Sequence, residues 1–295
     1  MHQGLIFLIA LGSIWMLFAT IQDFKKREVA NWINFSLIIF AMGARFFYSL
    51  FSNDGFNFFL QGVIGLGIFF IFGNLLYSLK IFAGGDAKLM ISLGAILPFS
   101  SNFIINLKIY ALFFCVFFVT GAIYGILFSL ILVLRNFKKF IKEFSKQFKI
   151  NKKICFIFFI SGILVLCFGF FERFMVYFGL LIFFFPFLYI YAKSVEEGMM
   201  ILNLDVSKLT EGDWLYKDLK VGKKVIRAKW DGLSNKEIRE IRKRFNKVKI
   251  KQGIPFVPVF LISFIILILI CLYFPFENYG ILLGSHILPF DFSIF

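Results

Sequence analysis

The chain has 295 residues, 60% hydrophobic and only 17% charged, with 47 phenylalanines and a net charge of +15. A soluble domain carries about 25% charged residues and must keep much of its surface wettable, so a single water-soluble domain is excluded, as is a disordered chain, which would lack apolar residues. What remains is a polytopic α-helical membrane protein whose 32 Lys+Arg against 17 Asp+Glu set topology through basic cytoplasmic loops and touch anionic lipid rather than nucleic acid.

A span needs about 20 consecutive apolar residues. In chain order the candidates are Gly4–Gln22, Trp32–Phe51, Phe58–Leu79, Lys88–Pro98, Ile104–Leu134, Ile154–Phe171, Phe174–Ala192 and Ile254–Phe274. These predict about eight transmembrane helices. The first begins almost at once, with no basic region before it, so it reads as a span and not as a cleavable signal. The fourth is short for a bilayer. The fifth is long enough to tilt or emerge. Only Glu172-Arg173 divides the sixth from the seventh, which predicts a tight hairpin. Gly62, Gly65 and Gly67 on the third span predict close helix packing. The tail 277–295 is apolar but broken by Gly280, Gly284 and Pro289, and reads as interfacial.

Basic and neutral loops alternate. Lys25-Lys26-Arg27 follows the first span, Ser52-Asn53-Asp54-Gly55 the second, Lys80 the third, and Ser100-Ser101-Asn102 the fourth. A basic, amphipathic stretch, 135–153, follows the fifth and reads as a cytoplasmic loop in contact with lipid. Positive-inside then places the N-terminus outside a cell membrane and the basic loops in the cytoplasm. Residues 193–253 differ in kind and predict a small cytoplasmic α+β domain. Trp214–Tyr216 and Lys224–Trp230 read as strands joined through Gly222. Asp231-Gly232 is a turn, and Ser234-Asn235-Lys236-Glu237 is a capping box opening a short basic helix. Lys247–Lys251 alternates as an edge strand. The organisation is thus a membrane core over 1–134, a basic loop over 135–153, a hairpin over 154–192, the domain over 193–253, and a last span with its tail over 254–295.

Cys115, Cys155, Cys167 and Cys271 form no CxxC and lie in apolar runs, so they read as small buried hydrophobes. His2 and His286 stand near opposite termini. These residues predict neither a metal site nor a cofactor.

Carboxylates near a bilayer are costly, and two stand at span ends on the same predicted face. Asp23 closes the first span, and Asp86 opens the fourth in Ala83-Gly84-Gly85-Asp86-Ala87-Lys88-Leu89. Two carboxylates sharing a site keep one proton between them. One then activates water while the other polarises a carbonyl, which is the chemistry of metal-free peptide hydrolysis. The same residues admit plainer readings. Asp86 can cap a helix after a glycine turn, and Asp23 can mark the membrane edge. A proton or cation pathway in a transporter or assembly factor is a further alternative. Asn31 can hydrogen-bond near Asp23 or cap the second span. Lys88 can tune Asp86 or set topology.

The stretch Asp23-Phe24-Lys25-Lys26-Arg27-Glu28-Val29-Ala30-Asn31 resembles the first aspartate motif of the type IV prepilin peptidases, an Asp followed by basic residues and Ile-Pro-Asn. Gly84-Gly85-Asp86-Ala87-Lys88-Leu89 resembles that family's second motif, Gly-x-Gly-Asp-x-Lys-Leu. Ala83 stands where the family has its first Gly, and Ala30 where it has Pro. Lys247–Phe260 looks like the C-terminal region of archaeal members, which process archaellins and pilins. The missing CxxC pairs set the chain apart from the bacterial branch. The resemblance implies catalytic aspartates at Asp23 and Asp86, supported by Gly84, Gly85, Lys88 and Asn31. It also implies type IV pilin-like or archaellin precursors as partners, cleaved behind a basic leader at the cytoplasmic boundary.

Overall fold

The computed structural model describes residues 2–52, 55–222 and 224–273; the tail 277–295 lies outside them. The described residues form two compact units, one of those up to 125 with those from 254 on, and one of those within 126–253.

The first unit is helical: α1 (His2–Lys26), α2 (Asn31–Phe51), α3 (Asn57–Ser78), α4 (Gly84–Leu93), the first part of α5 (Phe103–Arg135), and α9 (Val257–Tyr273). Apolar runs choose helix because a helix satisfies its backbone hydrogen bonds internally, and lipid supplies none. With α6 (Phe137–Phe168) and α7 (Phe174–Met199) of the second unit, six helices among the described residues (α1, α2, α3, α5, α6 and α7) are long and apolar enough to cross a membrane. The fourth expected span is therefore not a helix of spanning length: α4 has only 10 residues, about 15 Å of helix. The described part of α9 has 17 residues.

The short α4 has a physical explanation. It runs antiparallel to α3, and residues 94–101 continue its course without helix. Gly73 lies against Ala87 and Ile91, where a Cβ would come within 2.7 Å of Ile91 Cγ1. A Cβ on Gly65 would overlap the Gly94 carbonyl. Asn57, at the start of α3, donates to the Ser101 carbonyl at 3.0 Å. Irregular backbone is tolerated at such depth only where protein covers it and supplies its hydrogen bonds, and residues 92–100 are buried throughout. The donor is Arg45 of α2, which is 0% exposed. Its Nε donates to the Ala95 carbonyl at 2.8 Å, Nη1 to Phe58 at 3.0 Å, and Nη2 to Ile96 at 3.2 Å and Pro98 at 2.7 Å. Asn106 completes the arrangement. It accepts from Ser100 N–H at 2.9 Å and donates to the Ser100 carbonyl at 2.7 Å and to Gln61 Oε1 at 2.9 Å.

Gly62 makes room for the arginine, since a Cβ there would fall 2.5 Å from Arg45 Cδ. Gly67 has nothing within 4 Å. The packing glycines of α3 are therefore Gly62, Gly65 and Gly73, and Gly67 faces away from that row.

In the second unit α6 and α7 form the expected tight antiparallel pair, with Gly162 against Phe183 and Gly179 against Leu166. The stretch 137–153 is not a loop but the first half of α6. No Gly or Pro falls between Phe137 and Ser161, so nothing stops the helix. Beyond α7 the chain forms β1 (Ile201–Asp205), β2 (Trp214–Leu215), β3 (Leu219–Val221), β4 (Lys224–Ile226), α8 (Asn235–Arg242) and β5 (Lys247–Lys251). One sheet has the order β1-β5-β2, and β3-β4 is a separate hairpin that turns through Gly222 at φ +65°. β5 is thus the central strand, not an edge. Its alternation, with Val248 and Ile250 inward, reports a buried face and says nothing of neighbours along the edges. The capping box is present in full: Ser234 and Glu237 bond reciprocally, and the Ser234 backbone bond holds the Glu237 carboxyl below its usual range.

Candidate active site

Asp23 sits on the last turn of α1 and is 5% exposed. Its surroundings are built by the turn that follows. The Arg27 N–H closes the helix on the Asp23 carbonyl at 2.8 Å, Arg27 adopts a left-handed φ of 57°, and Gln22 Oε1 accepts the Ala30 N–H at 2.9 Å. These contacts fold residues 27–30 back beneath α1 and bury Val29.

The second motif lands on that turn. Ala83 is the N-cap of α4, with φ −70° and ψ 161°. This is extended backbone that any residue adopts, so Ala83 in place of Gly carries no conformational cost. Gly84 and Gly85 form the first helical positions, and Asp86 is the third. Asp86 is half-buried, and its carboxylate takes a backbone hydrogen bond from Ala83. The plain capping role therefore goes to Ala83, with Asp86 reaching back to it. A Cβ on Gly85 would make ordinary contact with Val29, 3.5 Å from its nitrogen, which places the glycine turn against the turn after α1. Lys88 Nζ donates to Asn31 Oδ1 at 2.7 Å. That bond ties the fourth element to the start of α2. Asn31 caps nothing: Ala30 is the N-cap of α2, and no side chain bonds there. Through these contacts Asp23 comes within Coulombic reach of Asp86 although 63 positions separate them in the chain.

One partner was not foreseen from the sequence. The Val257 N–H, at the start of α9, donates to Asp23 Oδ2 at 3.0 Å, and the Phe256 amide adds a further backbone bond. Phe256 and Phe260 pack with Phe82 and Phe117, ring centroids 4.7–6.2 Å apart. Phe82 lies four residues before Asp86, so α9 touches the approach to both aspartates. A main-chain donor leaves no mark on the side-chain sequence. The nearest signal is Pro255-Phe256-Val257-Pro258, where prolines announce a helix start. Among the described residues no group of His, Cys, Asp and Glu could hold a metal ion.

Helices long and apolar enough to cross a membrane, with two acidic side chains in Coulombic reach of each other, mark the chain as a polytopic membrane protein. Residues 10–133, which carry both, match the type IV leader peptidase family. The chain is also similar to preflagellin peptidases. It is 33% identical to that of Methanocaldococcus jannaschii over 88 residues, 30% of this chain and 37% of that protein. It is 34% identical to that of Methanococcus voltae over 91 residues, again 30% and 37%. It is 31% identical to that of Methanococcus maripaludis over 88 residues, with the same shares. The matched part thus spans well under half the length of these curated relatives. No solved structure matches the chain. The resemblance that the two aspartate motifs carry is borne out by these matches.

Proposed function

We propose that the chain is a membrane aspartic endopeptidase that removes the basic leader from type IV pilin-like or archaellin precursors. The observation that supports this best is the convergence of Asp23 and Asp86 at adjoining helix ends. The family match over the segment holding both adds to it. Lys88, Asn31, Gly84 and Gly85 hold the second motif against the first.

The chemistry needs one ionised and one protonated carboxyl. The ionised member takes a proton from water as the water oxygen bonds to the scissile carbonyl carbon. The protonated member gives its proton to the carbonyl oxygen, and a neutral gem-diol forms. In collapse the first returns its proton to the amide nitrogen, the C–N bond breaks, and the second recovers a proton from a gem-diol hydroxyl. Both residues end as they began.

The chain crosses the membrane eight times in this reading, with α4 and residues 94–101 together making the fourth crossing, the N-terminus outside and both aspartates at the cytoplasmic boundary. With the native cysteines replaced, single cysteines at Lys25, Lys80 and Lys236 stay shielded from an impermeant thiol reagent in intact cells. One at Glu172 labels. Labelling at Lys25 and Lys80 from outside overturns the orientation.

The rim of the site is basic, with Lys25, Lys26, Arg27 and Lys88, so long-range attraction does not draw in a basic leader. Topology reads the leader instead: positive-inside holds it in the cytoplasm and sets the depth of the helix behind it. Purified chain in detergent or lipid therefore cleaves a pilin-like precursor at one bond, read by mass spectrometry of the products. Moving the precursor's apolar start by three or four residues, about 5 Å of helix, reduces cleavage sharply. Neutralising one leader lysine matters less when orientation is kept. Tolerance of the shift with failure on the single lysine overturns the depth account.

A further inference from the structure

Resting on the reading of Asp23 and Asp86 as the catalytic pair, we infer that the first turn of α9 is a third component of the site, whose Val257 N–H orients Asp23 and keeps it as the ionised member, the one that takes the proton from water. The assignment follows from unequal surroundings. Asp23 receives the Val257 N–H on Oδ2 at 3.0 Å, a further backbone bond from Phe256, and the charge of Arg27. Asp86 has one backbone bond, from Ala83 of its own helix. Backbone donors at a helix N-terminus favour an anion there, and the aligned peptide dipoles add to it. Bonding through Oδ2 leaves Oδ1 to receive the proton.

The donor is held rigidly. Val257, Pro258, Val259 and Phe260 are all buried. Phe256 and Phe260 are locked against Phe117 of α5 and Phe82. A Cβ on Gly121 would come to 3.2 Å from the Phe256 ring, so α5 also fits this turn closely. Residues 256–257 lie outside the segment that matches the leader peptidase family. The site is therefore incomplete in that segment alone. Val257 touches neither substrate nor water in this account; it is a positioning residue.

The first helical position tolerates proline, whose missing N–H is not needed by the helix. The residue before it then takes extended backbone, as an N-cap ordinarily does. Val257→Pro thus removes the donor with the helix start retained, while Val257→Ala keeps the donor and trims the side chain. Losing a hydrogen bond to a charged group predicts that kcat falls about 10- to 100-fold in Val257→Pro with KM little changed, and that Val257→Ala stays near wild type. Val257→Pro cleaving like wild type overturns the inference, as does an equal loss of kcat in Val257→Ala. A second measurement needs no proline variant. In the infrared spectrum of resting protein at neutral pH, the carboxylic-acid C=O stretch disappears in Asp86→Asn and persists in Asp23→Asn. The reverse pattern overturns the assignment. Failure of the dyad itself looks different: cleavage survives Asp23→Asn, whatever Val257→Pro does.

Discussion

Asp23→Asn and Asp86→Asn each leave the chain inserted and folded, and neither cleaves a precursor. The substitution is close to isosteric. An amide at position 23 still offers an oxygen to the Val257 N–H, now at 3.0 Å from Oδ2. An amide at position 86 still reaches back toward Ala83, where Asp86 bonds today. What an amide cannot do is exchange a proton in the working pH range. The two steps of hydrolysis use each carboxyl once as donor and once as acceptor, so neither can be spared. Expression level and the thermal midpoint in detergent stay near wild type while product falls below detection. Substantial cleavage by either variant removes the dyad and returns the two residues to their plainer roles as a membrane-edge marker and a helix-start acceptor.

Much of this arrangement was legible because lipid imposes simple rules. The runs Gly4–Gln22, Trp32–Phe51 and Phe58–Leu79 differ from α1, α2 and α3 by no more than four residues at any end, since apolar length alone defines a span. Ser234 and Glu237 announced α8 through a local exchange of hydrogen bonds that needs nothing distant. Asp23 and Asp86 stood out because carboxylates are rare at span ends.

What escaped depends on distant main chain. The Val257 donor is 234 positions from Asp23, and any residue but proline would have supplied it. The helical start of α6 escaped for a different reason. Its lysines suggest a basic loop in contact with lipid, although charge does not end a helix and no Gly or Pro falls between Phe137 and Ser161. Arg45 was passed over inside an apolar span, where one base weighs little in a hydropathy count. Its partners Ala95, Ile96 and Pro98 are carbonyls on a stretch with no polar side chain from Gly94 to Phe99, so nothing in the sequence pointed to the pairing.

Arg45→Met is the substitution expected to cost the most stability. A buried charge replaced by an apolar side chain can be neutral, because the cost of desolvating the ion disappears as well. Here the partners are not a second ion that could be replaced too. They are the carbonyls of Phe58, Ala95, Ile96 and Pro98, which stay behind in an apolar interior. An unpaired buried acceptor costs about 1–3 kcal/mol. The Phe58 carbonyl lies inside α3 and keeps a helical donor, so the loss falls on Ala95, Ile96 and Pro98, about 3 kcal/mol at the low end against the desolvation gain. The loss falls on residues 94–98, the continuation of α4, and α4 carries Asp86 at its other end. Arg45→Met therefore lowers the thermal midpoint in detergent by several degrees, taking about 2–4 °C per kcal/mol, and loses cleavage with it. Arg45→Lys keeps the charge but not the planar fork that reaches four carbonyls, and falls between. Gly62→Ala provides an independent check, because its new Cβ would meet Arg45 Cδ at 2.5 Å and push the guanidinium off its acceptors without removing it. A midpoint unchanged in both Arg45→Met and Gly62→Ala would mean that apolar packing against Gly65 and Gly73 of α3 is enough to hold α4, and the arginine would then have no part in placing Asp86.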